Sequence, residues 1–195
     1  MKVDGRLLFG VFEPGDIPDM TEMVSIWNRL AEENGLPGFL FFSFAQGAAA
    51  LEAAHRAGFD RVVYDALFDA VYTHHTRKGQ RIKARLESLL HLPSPVDYHF
   101  YTQVALEKFK YFPDTVPCVD PNFDHSPRSG VKGTILHNST PERWGAFYRT
   151  VSELVDTRQG GDGLLFIKAW NEWGEGNYLE PDLRYGDAYL KEMVK

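Results

Sequence analysis

Two glutamates three positions apart, Glu172 and Glu175, lie in a run that also holds Trp170, Asn171, Trp173, Tyr178 and Glu180. Paired carboxylates flanked by flat rings suit glycosidic chemistry. One acid protonates a leaving oxygen, the other acts as base or nucleophile, and the rings cover a sugar face. In a continuing strand, positions three apart face opposite ways, so the pair meets only where the chain bends. Gly174 and Gly176 permit such a bend. A lone Glu-x-x-Glu is more often the polar end of a strand, with its tryptophans in the core. The density of acids, amides and rings in this one run favours a site instead.

A second group lies in the loop after Val116, which carries Asp120, Asn122, Asp124, His125 and Arg128. Asp124 and Arg128, four apart, either tie the loop together or touch substrate. Glu13 stands at the tip of the first apolar run, where a strand end would present it to the same region. His74, His75, His91 and His99 lack the His-x-x-x-His spacing of a metal-binding helix and are expected to be packed or solvated. The chain has no Asp-x-Asp pair and no glycine-rich phosphate loop, so no metal or nucleotide cofactor is expected.

The elements that must position these residues alternate. Arg6 to Phe12, Phe39 to Phe44 and Leu164 to Trp170 are short continuous apolar runs, expected as buried parallel strands. Phe59 to Phe68 is a weaker strand candidate, and Val116 begins another. Between the first two strands, Asp19 and Glu22 form a capping box for an amphipathic helix presenting Met23, Ile26, Trp27, Leu30 and Ala31. Further helices are expected over Ala48 to Ala57, Ile82 to Leu90, Tyr101 to Tyr111, after Thr140-Pro141, and over Tyr185 to Val194. Strand, helix, strand in this order predicts parallel pairing, and α/β folds place their sites at the C-terminal ends of such strands.

Composition narrows the classes. The 195 residues suit one domain over residues 1–195, and 44% hydrophobic content supports a packed core. A formal charge of -6 without an evident basic run argues against nucleic acid or an anionic membrane surface as the main partner. The single cysteine, Cys118, excludes an internal disulfide, and no stretch is long and apolar enough to span a membrane. With no apolar leader after Met1, a cytoplasmic location is expected.

Asp4-Gly-Arg-Leu-Leu-Phe9, the stretch Pro117 to Arg128, and above all Ala169-Trp-Asn-Glu-Trp-Gly-Glu-Gly-Asn-Tyr-Leu-Glu-Pro-Asp-Leu-Arg-Tyr-Gly186 resemble the WbsX-like glycosyltransferase family. That family is related to glycoside hydrolase family 99, the endo-α-mannosidases. The resemblance covers nearly the whole chain. It implies a (β/α)8 barrel of the TIM type acting on α-linked, mannoside-like sugars in bacterial polysaccharide metabolism. It also implies a retaining mechanism in which Glu172 acts as base on the sugar's own 2-hydroxyl and Glu175 acts first as acid, then as base. Trp170, Asn171, Trp173, Tyr178, Glu180, Asn122, Asp124, Arg128 and Glu13 would line the oligosaccharide or polysaccharide site. His125 stands where relatives commonly carry Asn. The chain lacks the family's N-terminal blocks, so it is expected to be the C-terminal half to two thirds of a barrel. A missing N-terminal half or a homo-oligomer would then complete the sheet. Transfer in surface-polysaccharide biosynthesis and non-catalytic sugar binding are the alternative functions.

Overall fold

A computed structural model describes residues 1–12, 17–158 and 163–195. Its centre is a curled sheet of six strands in the order β1, β2, β3, β4, β6, β8. The short β1 (Lys2–Val3) runs antiparallel to β2 (Arg6–Val11). From β2 onward every pair is parallel, through β3 (Phe39–Gln46), β4 (Arg61–Asp65), β6 (Val116–Val119) and β8 (Phe166–Ile167). Each parallel strand lies beside the next one in the chain. The order never reverses, so the sheet winds one way as a half barrel does and has none of the switch points of a doubly wound fold.

Helices cover one face. These are α1 (Met20–Glu33), α2 (Ala48–Arg56), α3 (Leu67–Thr76), α5 (Tyr98–Tyr111), α7 (Pro141–Asp156) and the short α8 (Ala188–Met193). α4 (Lys78–Leu89) packs on α3. The small parallel pair β5 (Val96–Asp97) and β7 (Leu136–His137) precedes α5 and follows α6 (Ser126–Ser129). Local chemistry starts the helices. Asp19 accepts a hydrogen bond from the Glu22 amide at 2.8 Å, and Asp97 accepts one from His99 at 2.9 Å. The Thr140 hydroxyl caps α7 ahead of Pro141.

Strand alternation divides the apolar residues between two faces. Outward, Phe41, Ala45, Val62, Tyr64 and Val119 pack against α1, α5 and α7, through Trp27, Tyr101, Phe109, Trp144, Phe147 and Val151. Inward, Val63, Val116 and Cys118 form a second cluster with the half-buried Phe42, Phe44, Leu164 and Phe166. At about 1.5–3 kcal/mol per fully buried large side chain, the outer layer supplies most of the drive to fold.

Several expectations need correction. Leu164 to Trp170 is not one long buried strand: only Phe166 and Ile167 pair, and the whole stretch is half-buried or exposed. It has β6 on one side and no paired strand on the other among the described residues. Phe59 to Phe68 splits into a five-residue strand and the start of α3, because Tyr64 and Asp65 end the sheet and Ala66 opens the helix. Ile26 and Leu30 lie on the exposed side of α1, whereas the expected Ala31 is buried together with Met20, and Met23 and Trp27 pack against the core. The last helix begins at Ala188, three residues beyond the expected Tyr185.

Candidate active site

The bend that brings the glutamates together is a hairpin. β9 (Asn171–Glu172) pairs antiparallel with β10 (Asn177–Tyr178), and a 3-10 turn over Trp173–Glu175 joins them. Gly176 closes the turn at φ 51°, in the left-handed region. A Cβ on it would also stand 2.9 Å from Asp124 Cβ, so both its backbone and its neighbour demand glycine. Leu179 and Glu180 amides both donate to the Trp170 carbonyl at 2.9 Å, which fixes the exit of the hairpin.

The loop after β6 is stitched to this hairpin. Asn122 uses both ends of its amide on the Tyr178 backbone, donating to the carbonyl at 2.9 Å and accepting from the N–H at 2.8 Å. The buried Asn177 side chain donates to the carbonyls of Lys168 and Asn122. The Asp124 amide donates to the Glu175 carbonyl at 2.7 Å. Its carboxylate accepts from the Ser126 amide at 2.9 Å, at the start of α6. Arg128 projects from that helix.

Arg128 does not pair with Asp124. Its guanidinium bridges the two glutamates, with Nη1 2.9 Å from Glu175 Oε1 and Nη2 3.0 Å from Glu172 Oε1. His125 Nε2 stands 3.6 Å from the same Glu175 oxygen. Gly174 makes the approach possible, since a Cβ there would lie 3.0 Å from Arg128 Nη2. The group is open to solvent: the side chains of Arg128, Glu172 and Glu175 are 54%, 45% and 25% exposed. Among the described residues, Arg128 and His125 engage only Oε1 of these glutamates, and each Oε2 has no side-chain partner.

Rings border the pair. Trp173 stacks on Tyr178 with centroids 3.9 Å apart, and its indole N–H donates to Glu180 Oε2 at 2.9 Å. Glu180 therefore orients a ring. Trp170 and Trp173 are each about half exposed, and Asn171 is exposed beside them. Glu13 lies outside the described residues.

Two residues at the strand ends, Lys168 and Asp65, escaped the sequence reading as site residues, and they meet Asp120 of the second candidate loop. Lys168, just past β8, sets its ammonium 2.6 Å from Asp65 Oδ2 at the end of β4 and 3.5 Å from Asp120 Oδ1 past β6. Tyr101 donates to the other Asp120 oxygen at 2.9 Å, and Tyr98 donates to the Asp120 carbonyl at 2.8 Å. Both aspartates are buried. Two carboxylates share one cation, and the closer pair is Lys168 with Asp65. Burial, and then the Asp65 charge, push Asp120 up to about 7 against the pull of Lys168. Burial opposes the charge on Lys168, but the Asp120 and Asp65 carboxylates outweigh it and raise its affinity for the proton. An acid at the tip of each apolar strand was the available signal. It was applied at Glu13 and not at Asp65. Among the described residues no three His, Cys, Asp or Glu side chains are grouped to hold a metal ion.

Comparison with known proteins agrees with the motif. Over 191 residues the chain is 26% identical to the uncharacterized protein WxcX of Xanthomonas campestris pv. campestris strain ATCC 33913, and 28% identical to that of strain B100. Each match covers 97% of this chain and 26% of the relative, so the chain spans about a quarter of these proteins. Among solved structures, a glycoside hydrolase-like protein superposes with a TM-score of 0.64 at 10% identity, over 99% of this chain and 54% of its own. The glycoside hydrolase family 99 endo-alpha-mannosidase from Bacteroides thetaiotaomicron, in complex with BIS-TRIS-propane, matches with a TM-score of 0.49 at 15% identity, over 100% of this chain and 58% of its own. The family model described as Glycosyltransferase WbsX matches residues 1–193, and the chain belongs to that family.

Proposed function

We propose that this chain is the C-terminal part of a (β/α)8 catalytic domain that makes or breaks α-linked, mannoside-like glycosidic bonds in bacterial polysaccharide metabolism. The observation that carries the reading is the Glu172–Arg128–Glu175 bridge, which holds two carboxylates side by side at the C-terminal edge of the parallel sheet. The exposed faces of Trp170 and Trp173 lie in the same short run. In this reading the sugar enters against the free Oε2 of each glutamate. Glu172 takes the proton of the 2-hydroxyl, whose oxygen attacks the anomeric carbon. Glu175 gives its proton to the departing bridging oxygen. In the second half Glu175 takes a proton from water as that water opens the strained intermediate, and Glu172 returns its proton to the 2-oxygen. Configuration is retained.

Glu172→Gln and Glu175→Gln should each abolish turnover of an α-mannoside while weakening oligosaccharide binding only modestly. Near-normal rates in both variants would remove the mechanism. The family description, a glycosyltransferase, favours a second reading, sugar transfer, which would serve surface-polysaccharide biosynthesis. Incubation with sugar nucleotides and, separately, with α-mannosides distinguishes the two by which one is consumed. Binding without turnover of either would mark the chain as a sugar-binding module.

A further inference from the structure

α4 packs the wrong way round for a soluble amphipathic helix. Its inward positions are Gln80, Ala84 and Glu87, spaced i, i+4, i+7, and all three are half-buried. Its outward positions at the same spacing are Ile82, Leu86 and Leu89, which are 65%, 55% and 74% exposed. Leu90 and Leu92 continue the apolar surface past the end of the helix, at 66% and 51%. A helix ordinarily buries its apolar stripe and shows its polar one. Here the stripe is displayed, and the polar face meets the rest of the protein.

Charge says what would cover it. Between Arg77 and Leu92 lie five basic residues and a single acid, in a chain whose formal charge is -6. Arg77 lies over the Phe100 ring at 4.7 Å, and Lys83 pairs with Glu87 at 3.5 Å. Lys78, Arg81 and Arg85 make no ion pair among the described residues, and their spacing puts them along one border of the apolar stripe. An apolar ridge edged by free cations fits an interface that is apolar below and anionic above. A second copy of the chain fits it poorly, because two such faces meeting would bring their arginines together. Nucleic acid would satisfy the cations and leave the leucines in water. The sequence expectation set an anionic membrane surface aside as the main partner on overall charge, and the basic stretch from Arg77 to Arg85 is interleaved with apolar residues in this helix.

We propose that α4 and the turn to Leu92 form a peripheral docking face for an anionic lipid bilayer. The helix would lie in the plane of the surface, with Ile82, Leu86 and Leu89 at the boundary of the acyl chains and Lys78, Arg81 and Arg85 against lipid phosphates. This face is separate from the glutamate pair, and the proposal does not depend on what that pair does.

The test is co-sedimentation of the whole chain with phosphatidylcholine vesicles, with and without phosphatidylglycerol. Binding is expected only where phosphatidylglycerol is present and should fall steeply with added salt. The Arg81→Glu/Arg85→Glu double variant should lower the partition coefficient about tenfold or more. Leu86→Ser/Leu89→Ser should abolish binding, with unchanged circular dichroism in both variants since these side chains are exposed. Absence of binding to either vesicle, equal binding to both, or binding indifferent to the two double variants would overturn the proposal. So would a wild-type dimer in sedimentation velocity that Leu86→Ser/Leu89→Ser converts to monomer, because a second copy would then be the occupant.

Discussion

Arg128 is the residue on which the candidate site turns, and its position separates a positioning role from a stabilising one. Its two contacts join groups 44 and 47 residues away in sequence, and all three side chains are at least one quarter exposed. Exposed ion pairs are worth about 0–1 kcal/mol, so Arg128→Gln should leave the melting temperature nearly unchanged. Catalysis should suffer far more. Without the guanidinium the two carboxylates lose the one side chain that bridges them, and kcat/KM should fall by about 100-fold or more. Arg128→Lys should not rescue it, because an ammonium cannot present two parallel N–H donors to two separate acids. A large loss of stability with unaltered kcat/KM would show the bridge to be structural only. The sequence could not reveal this contact. Four-residue spacing suggested Asp124 as the partner of Arg128, but Asp124 is engaged by the Ser126 amide and the true partners come from another element.

At the level of elements, the hairpin from β9 to β10 was legible as a bend but not as a hairpin. Glycines at 174 and 176 announced flexibility, yet only the structure shows that they serve different ends. Gly174 leaves space for the guanidinium of Arg128, whereas Gly176 takes a left-handed turn against the backbone and Cβ of Asp124. Gly176→Ala should therefore cost about 1–2 kcal/mol from backbone strain alone. It should also push apart the two loops that the Asp124–Glu175 amide contact holds together. The expected outcome is a lower melting temperature together with a drop in kcat that substrate saturation does not recover. Gly174→Ala should keep the melting temperature and lose activity only as far as Arg128 is displaced, so the pair of variants separates the two functions. Helix starts were the most readable elements: Asp19 and Thr140 cap as their types and neighbours predict. Leu164 to Trp170 was the least readable. Apolar composition alone cannot distinguish a strand flanked on both sides from one with a single neighbour, and among the described residues this stretch has only β6 beside it.

For the molecule as a whole, the order of the parallel strands decides where their tips converge. Because β4, β6 and β8 are consecutive neighbours, Asp65, Asp120 and Lys168 meet past their ends, and the sheet carries a buried ionic knot next to the hairpin that bears the glutamates. Apolar runs made the sheet legible, but this knot needed the strand order, since its members are distant in sequence. It gives global stability a specific pH dependence. Asp120 has a folded pKa of about 7 against an ordinary value of 3.8, so between those values the folded chain holds a proton that the unfolded chain has released. Stability from this group is therefore complete below the ordinary value and is lost as pH rises through about 7. Asp120→Asn cannot ionise and lacks that loss. The difference in melting temperature between the two proteins should change across the window: relative to Asp120→Asn, the wild type should be several degrees better off at about pH 5 than at about pH 8. A difference that stays constant over this range would mean that Lys168 neutralises both aspartates at once, and the two-acids-per-cation account of the strand tips would fail. If the difference follows the expected course, turnover should be compared across the same window. Asn177 touches both Asp120 and the Lys168 carbonyl, so ionisation of Asp120 has a short covalent and hydrogen-bonded route to the turn that carries Glu175.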